Sequence, residues 1–346
     1  MSRPTPSRTI HLRALLQAAL DRRQPLIAAA RTQAYRVCSG LADGIDGVFL
    51  DVYGPGAALI VYEGRAPAAF DASREAGAIL DLLRSLGVRA IYLKPFAKDR
   101  SRLGGELPAV VTQAQPLAGE PLPEAILIRE ARWTLEVRLY DGLSTGLFLD
   151  QRENRAWVND LISRLKTQAD SGGGEQPTVL NTFAYTCAFS VAAAVGGALA
   201  TSVDVSGRYL EWGKRNFLHN GLDPQAHRFA KMDTFEFFTY ARRKGLKYDL
   251  ILLDPPSFGS GSKKKGIRPW SAESDYARLV KESAALLRPG GTIFASTNTG
   301  VLCRPGQLDR EITRALGRAP QWVALPPAPV DFARESDRFT ARAFRP

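Results

Sequence analysis

Hydrophobic positions follow two different rhythms along the chain, and the change between them marks its organisation. The clearest signal is the unbroken apolar run Leu250-Ile251-Leu252-Leu253. It has neither a helical nor an alternating period, which predicts a strand buried on both faces, as in a parallel sheet. Around it the second part of the chain repeats a strand–helix pattern. Strands are predicted over 178–183, 199–204, 228–232, 247–254 and 291–297, and helices over 186–195, 208–220, 234–244 and 272–287. A helix over 154–166 and a Gly-rich linker over 170–177 precede them. Such alternation requires crossover connections, hence a parallel sheet with helices on both faces. Two late stretches, 321–325 and 338–344, read as an antiparallel pair at one edge.

The first 140 residues have another texture. Helical spacing over 9–30 is broken into two pieces by Pro25. Short β-branched and aromatic runs over 35–64 are punctuated by Gly-containing turns, as in a hairpin or meander. A helix over 71–86 stopped by Gly87, a strand over 88–93 and a β stretch over 125–140 follow, the last beyond a Pro-containing segment. This predicts a smaller α+β domain over 1–140 and a larger domain over 141–346. The texture changes at 142–158, read as a turn, a short apolar strand and the start of a helix.

Composition narrows the picture. The chain has 346 residues, 45% of them hydrophobic, enough for a full core without metal or disulfide staples. Cys38, Cys187 and Cys303 form no CxxC or Cys/His ligand pattern, which argues against zinc and for a reducing cytoplasm. No leader-like h-region opens the chain and no run reaches eighteen apolar residues, so a soluble cytoplasmic protein without membrane spans is expected. The formal charge of +11 favours a polyanionic partner, RNA or DNA first, although 35 acidic residues offset much of a basic surface.

The candidate chemistry sits at predicted strand ends. Asp204, Asp233 and Asp254 each close one strand, at spacings of 29 and 21 residues, one βα unit apiece, so they line up along one sheet edge. A carboxylate beyond the second strand suits the vicinal hydroxyls of a ribose, and Asp233 would accept from an adenine amino group. Taken singly, each is also what a helix N-cap requires. No GxGxxG follows the first strand, so a dinucleotide is not favoured. The loop after it offers small Ala184, Thr186 and Ala188, which suffices for S-adenosylmethionine, a cofactor without phosphate. Pro255 and Pro256 stiffen the turn after Asp254. Lys263, Lys264, Lys265 and Arg268, set among glycines and serines, suggest a basic loop able to hold a phosphate backbone, or simply a solvated one.

These motifs carry a resemblance. Asp254-Pro255-Pro256 followed by Phe258 is similar to motif IV of S-adenosylmethionine-dependent methyltransferases acting on nucleobases. With TGLFLDQRENRAWV before it, FAYTCAFS after the first strand, SVDVSGRYLEWGKRNF and the small β segment YRVCSGLADGIDGVFLDVYG, the chain over about 31–345 resembles bacterial large-subunit rRNA methyltransferases. Two relatives are concerned: the cytosine-C5 enzymes with an N-terminal PUA domain, and the guanine-N7 half of the bifunctional guanine methyltransferase. The resemblance implies a class I, Rossmann-like fold with a seven-stranded, mostly parallel sheet. It implies S-adenosyl-L-methionine as cofactor, no metal, and RNA, 23S rRNA foremost, as substrate. By it Asp204 would bind ribose and Asp233 adenine, with Val205, Ser206 and Thr234 beside them; Phe183 and Tyr185, with Ala184 and Thr186, would line the methionyl side. Gln151 and Arg152 would close over the cofactor, Asp254 and the Pro255 and Pro256 carbonyls would orient the base, and Phe258 would stack on it after flipping.

The chain departs from the pattern in three places. Cys187 replaces the usual glycine of the loop, no PUA module is legible, and Thr297 stands where the cytosine-C5 enzymes keep their attacking cysteine. Guanine N7 needs no covalent activation, so a non-covalent base methylation at N7 is the favoured expectation. The alternatives are a cytosine-C5 enzyme using Cys303 or Cys187, a small-molecule methyltransferase, and a non-catalytic RNA-binding factor with the same fold.

Overall fold

The apolar run at 250–253 is a strand whose side chains leave on both faces, and the larger part of the fold covers them. In this computed structural model residues 12–97, 107–259, 261, 269–335 and 338–346 are described. The chain divides into two compact units, one made of residues up to 131, 135–149 and 330–334, the other of 132–134, 150–329 and 335–346.

The first unit contains α1 (Leu12–Ala29), β1 (Ala34–Ser39), β2 (Val48–Tyr53), β3 (Gly56–Tyr62), α2 (Ala72–Leu83), β4 (Ala90–Phe96), β5 (Ala118–Gly119), β6 (Ile126–Glu130) and most of β7 (Trp133–Val137). Strands β1 to β5 form one sheet in sequence order, and β6 pairs with β7. Within the five-stranded sheet β3 and β4, joined through α2, run parallel, and the other described neighbours run antiparallel. Leu16 and Leu20 of α1 and Ile79 and Leu83 of α2 share one core with Val37, Leu50, Leu59 and Ile91. The Asp71 carboxylate caps α2 by accepting from the Ser73 and Arg74 amides, and Gly87 takes the left-handed conformation that ends the helical stretch.

Pro25 does not divide the first helix: α1 runs through it. The buried positions Leu12, Leu16, Ala19, Leu20 and Arg23 all precede the proline, so packing fixes the helix ahead of the missing N–H. The expected strand near 147 is also absent; Leu147 and Leu149 are buried, Phe148 is exposed, and the segment ends in a single 3₁₀ turn, Leu149–Gln151. Where the sequence suggests a boundary after 140, the units divide between 149 and 150. The Gly142 amide donates to the Val111 carbonyl (3.0 Å), Lys94 donates to the Gly142 carbonyl, and the Arg138 amide reaches Thr145 (2.9 Å), which ties this segment to the first unit.

The second unit contains α3 (Arg152–Gly172), β8 (Thr178–Thr182), α4 (Ala188–Val195), β9 (Leu199–Asp204), α5 (Gly207–Leu218), β10 (Arg228–Lys231), α6 (Thr234–Arg243), β11 (Tyr248–Leu253), β12 (Phe258–Gly259), β13 (Trp270–Ser271), α7 (Ala272–Ala284), β14 (Leu287–Thr297), α8 (Gln307–Leu316), β15 (Gln321–Val323) and β16 (Thr340–Arg345). Seven strands form a mixed sheet in the order β10-β9-β8-β11-β14-β16-β15. The first five run parallel, and β16 lies antiparallel between β14 and β15. Leu250 and Leu252 face Val158, Ile162 and Phe189 of α3 and α4, while Ile251 and Leu253 face Phe237, Tyr276, Leu279 and Ile312 of α6, α7 and α8. Burying each such side chain contributes about 1.5–3 kcal/mol, so the central strand anchors both layers. Helix α3 runs to Gly172, through part of the expected linker, and β14 begins four residues earlier than its pattern suggested. Its partner register jumps from Leu287 to Thr292, so Arg288-Pro289-Gly290-Gly291 bulges from the ladder.

Candidate active site

The strand order places the carboxylates. At the carboxyl edge of the sheet the ends of β10, β9, β8 and β11 follow one another, so Asp233, Asp204, the loop from Phe183, and Asp254 appear in that sequence. Neighbouring strands lie ~4.8 Å apart, which puts the β9 and β11 ends about 10 Å from each other with the loop between them.

Asp204 is half-buried. Its Oδ2 accepts from the Tyr185 amide (2.9 Å) and its Oδ1 from the Ser206 amide (2.8 Å), and it makes no ion pair among the described residues. Burial raises its pKa above the ordinary carboxylate value, against the pull of those two amides. Each oxygen keeps a further lone pair, and a carboxylate without a counter-charge is a good acceptor for neutral hydroxyl donors. Val205 beside it is exposed, and the Ser206 hydroxyl caps α5 by accepting from the Tyr209 amide. Asp233 caps α6: its Oδ1 accepts from the Phe235 and Glu236 amides at 2.8 and 3.4 Å, and Thr234 is buried. The N-cap use of this carboxylate is therefore present, on one oxygen.

The loop after β8 is strained. Phe183, Tyr185 and Cys187 all hold positive φ, at 54°, 49° and 63°. Left-handed backbone costs a residue with a Cβ roughly 1–2 kcal/mol, so the surroundings must over-determine it. They do: the Ala184 amide donates to Val203, the Tyr185 amide to Asp204, and the Thr186 carbonyl accepts from the Asn216 amide side chain. Ala184 and Thr186 are buried, whereas Phe183 and Tyr185 are half-exposed.

Asp254 lies in a different electrostatic setting. Its Oδ1 accepts from the Ser296 hydroxyl at 2.6 Å, and Ser296 in turn accepts from the Gln151 side-chain amide (3.1 Å), whose oxygen accepts from Asn154 (2.8 Å). Burial pushes the Asp254 carboxyl up to about 6; the Asp150 carboxylate pushes the same way, while the bonds from Ser296 and Gln151 and the Arg155 guanidinium oppose it. Gln151 and Arg152 are both buried at the start of α3, and the Gln151 side chain is engaged here, beside Asp254. The Tyr276 hydroxyl donates to the Ser296 carbonyl (2.9 Å), holding the strand end from below.

The turn after Asp254 is braced by an aromatic cluster. The Trp270 indole N–H donates to the Pro256 carbonyl at 2.7 Å, so one of the two proline carbonyls expected to face a base already serves Trp270. The Trp270 ring packs between Phe183 (5.5 Å) and Phe235 (6.1 Å), which joins the loop after β8, the start of α6 and the proline turn. Phe258, in the two-residue ladder β12–β13, is 72% exposed, so it is a surface ring and not a core one. Lys263, Lys264, Lys265 and Arg268 lie outside the described residues.

Sequence reasoning did not assign roles to Ser296, Asn154, Arg155, Asp150, Tyr276 or Trp270. For Ser296 a signal existed: β14 neighbours β11 with Leu253 opposite Ala295, so the next residue must stand beside Asp254. The cysteines are free and buried. Burial pushes the Cys187 thiol up to about 12, the Cys303 thiol donates to the Thr297 carbonyl (3.5 Å), and buried Thr297 accepts from the Thr299 amide on its hydroxyl. Among the described residues no cluster of three or more His, Cys, Asp or Glu could hold a metal, and no helix is long and apolar enough to cross a membrane.

The chain is similar to known proteins along most of its length. YwbD of Bacillus subtilis (strain 168), provisionally assigned as a ribosomal RNA large subunit methyltransferase, is 39% identical over 291 residues, covering 82% of this chain and 65% of that one. Ribosomal RNA large subunit methyltransferase K/L of Vibrio parahaemolyticus (serotype O3:K6, strain RIMD 2210633) is 31% identical over 294 residues, covering 83% of this chain and 37% of that one. The chain thus spans less than two thirds of the length of these relatives. The crystal structure of SMU.776, a provisionally assigned methyltransferase complexed with SAH, superposes with a TM-score of 0.79 at 29% identity, covering 99% of this chain and 83% of that one. Residues 110–324 match the S-adenosylmethionine-dependent methyltransferase family. With that match, a half-buried carboxylate that makes no ion pair among the described residues and a loop of small residues beside it, the chain belongs to the S-adenosylmethionine-dependent methyltransferases, and S-adenosylmethionine is its cofactor.

Proposed function

We propose that this protein methylates a base of large-subunit ribosomal RNA, 23S rRNA, without a covalent enzyme intermediate, and that the acceptor is guanine N7. The observation that carries the non-covalent part is the thiol inventory. By the resemblance Thr297 stands where a cytosine-C5 enzyme would keep its cysteine, and its hydroxyl is tied to a backbone amide in the interior. Cys187 is buried with its thiol held protonated, and Cys303 is bonded to a strand carbonyl. The acceptor would then be nucleophilic by itself, as guanine N7 is through an in-plane lone pair that Watson–Crick pairing leaves unused.

Bound S-adenosylmethionine supplies an electrophilic methyl group on a sulfonium. Asp204 would accept from its ribose hydroxyls and Asp233 from its adenine amino group, with Val205, Ser206 and Thr234 alongside, while Phe183, Ala184, Tyr185 and Thr186 would line the methionyl side. The similarity to SMU.776 with bound SAH and the strand order, which fits a class I Rossmann-like fold, support this assignment. At the other end, Asp254 would face the base. The N7 lone pair would form the new N–C bond as the methyl–sulfonium bond breaks, its electron pair staying on sulfur as the neutral thioether of S-adenosylhomocysteine. No proton would leave the base, and the positive charge passed to its ring is one that an ionised Asp254 would stabilise. The exposed Phe258 ring is suited to stack on a flipped base, and the Pro255 carbonyl to accept from its amino edge. Gln151 and Arg152 would close this end. The charge of +11 and the run Lys263, Lys264, Lys265 and Arg268 fit a polyanionic substrate met in the cytoplasm.

Mass spectrometry of rRNA nucleosides tests the reading. A strain lacking this protein should lose N7-methylguanosine from 23S rRNA, restored by the wild-type chain but not by Asp254→Ala. Unchanged N7-methylguanosine together with missing 5-methylcytosine would overturn it in favour of the covalent mechanism.

A further inference from the structure

Helix α5 leaves one face on the strained loop. Tyr209, Gly213 and Asn216 stand at i, i+4 and i+7, a single helical face. Tyr209 meets the Tyr185 ring edge-on at 4.4 Å, Asn216 donates to the Thr186 carbonyl at 2.9 Å, and between them Gly213 faces Cys187. A Cβ at Gly213 would lie 2.9 Å from the Cys187 Cβ and nearer still to its sulfur, which real side chains do not tolerate. Glycine is a poor residue for a helix interior, so its presence there calls for such a close approach. Cys187 meanwhile holds φ 63° and ψ 25°, a conformation that favours glycine, and its side chain is fully buried.

We propose that this face of α5 is a clamp that sets cofactor affinity, with Gly213 the determining position because it houses the Cys187 side chain. The loop carries the Cβ and the helix lacks it, so the two positions divide the room for one side chain. The Cys187 side chain is accommodated because its bulk goes towards α5 and Ser202. The inference rests on the assignment of residues 183–187 to the cofactor, and is indifferent to which base is methylated.

Titration calorimetry of the full chain with S-adenosylhomocysteine, without RNA, reads the clamp. Gly213→Ala should weaken binding roughly tenfold or more, the scale of an overpacked contact. The double variant Cys187→Gly/Gly213→Ala should return to within about threefold of wild type, because the two changes share one space. Thermal unfolding gives a second sign. Alanine improves the helix, so the double variant should melt above wild type and Gly213→Ala alone below it. Should Gly213→Ala fail to fold, Asn216→Ala, which frees the Thr186 carbonyl, should weaken binding about fivefold. Unchanged affinity in Gly213→Ala or Asn216→Ala, or a double variant no better than Gly213→Ala, overturns the clamp. Wild type that fails to bind S-adenosylhomocysteine overturns the cofactor assignment of the loop as well.

Discussion

Asp43 and Asp254 are both carboxylates withdrawn from water, one in each unit, and their surroundings push them in opposite directions. Asp43 is gripped by the Arg23 guanidinium through both oxygens (2.7 and 2.6 Å), by Arg22 (2.6 Å) and by the Ser39 amide (2.7 Å). Burial raises its pKa, but those donors win and hold the carboxyl below its ordinary value. Asp254 has neutral hydroxyl and amide donors and a second carboxylate nearby, and burial lifts it to about 6. The first is a neutralised structural anchor. The second is held mainly by neutral donors, with burial outweighing the Arg155 charge at a cost in stability, an arrangement that fits the role proposed for it.

That contrast can be broken by substitution. Asp254→Ala should cut turnover by ~10³-fold, the scale of losing a group that stabilises developing charge, while the S-adenosylhomocysteine Kd stays within about threefold of wild type. A variant that retains turnover removes Asp254 from the chemistry. Asp43→Ala should do the reverse: about 3–5 kcal/mol of folding stability lost in urea unfolding, because Arg23 is left buried without its partner, and near-normal turnover per folded molecule.

Asp254→Asn separates the two kinds of carboxylate further. A raised native pKa means that the folded chain binds this proton more tightly than the unfolded one. The site's contribution to stability is thus full below about pH 4 and declines as pH rises through about 6. The asparagine variant should accordingly be more stable than wild type at pH 8 by roughly 1–2 kcal/mol, the partial exposure of the group limiting the gain, and equal to it near pH 4. For Asp43 the depressed pKa gives the opposite dependence, with stabilisation present above the ordinary aspartate range and lost only in stronger acid. The smallest effect is expected for Ser296→Ala. Removing a donor to the Asp254 carboxylate raises its pKa, so the acid limb of the pH–rate profile, set by ionisation near pH 6, should move to higher pH. An unmoved limb would detach Ser296 from Asp254.

Much of this was legible in the chain where chemistry is local or periodic. The run Leu250–Leu253 announces a strand covered on both sides, and the regular βα spacing brings Asp204, Asp233 and Asp254 to one edge. Asp71 and Gly87 read as the two ends of a helical stretch because capping is a short-range matter. Pro25 misled because its local penalty was outweighed by packing of the leucines before it. Ser296, Trp270 and Gly213 escaped for another reason. Each matters through a partner far along the chain: Asp254, Pro256 and Cys187 respectively. A serine in a strand, a tryptophan in a turn and a glycine in a helix announce nothing until the crossovers bring those partners alongside.

Residues 330–334 illustrate what such long-range closure implies for inheritance. The Arg36 amide donates to the Asp331 carboxylate (2.9 Å), the Ser39 hydroxyl to the Asp331 carbonyl (3.2 Å), and the Arg36 guanidinium lies over the Phe332 ring at 4.6 Å. The smaller unit therefore receives five residues that are encoded almost three hundred positions downstream. A gene fragment stopping at 149 would specify that unit with a missing side, exposing polar groups that these five residues satisfy. Such a piece is ill suited to being cut out and grafted elsewhere unless the five residues are supplied with it.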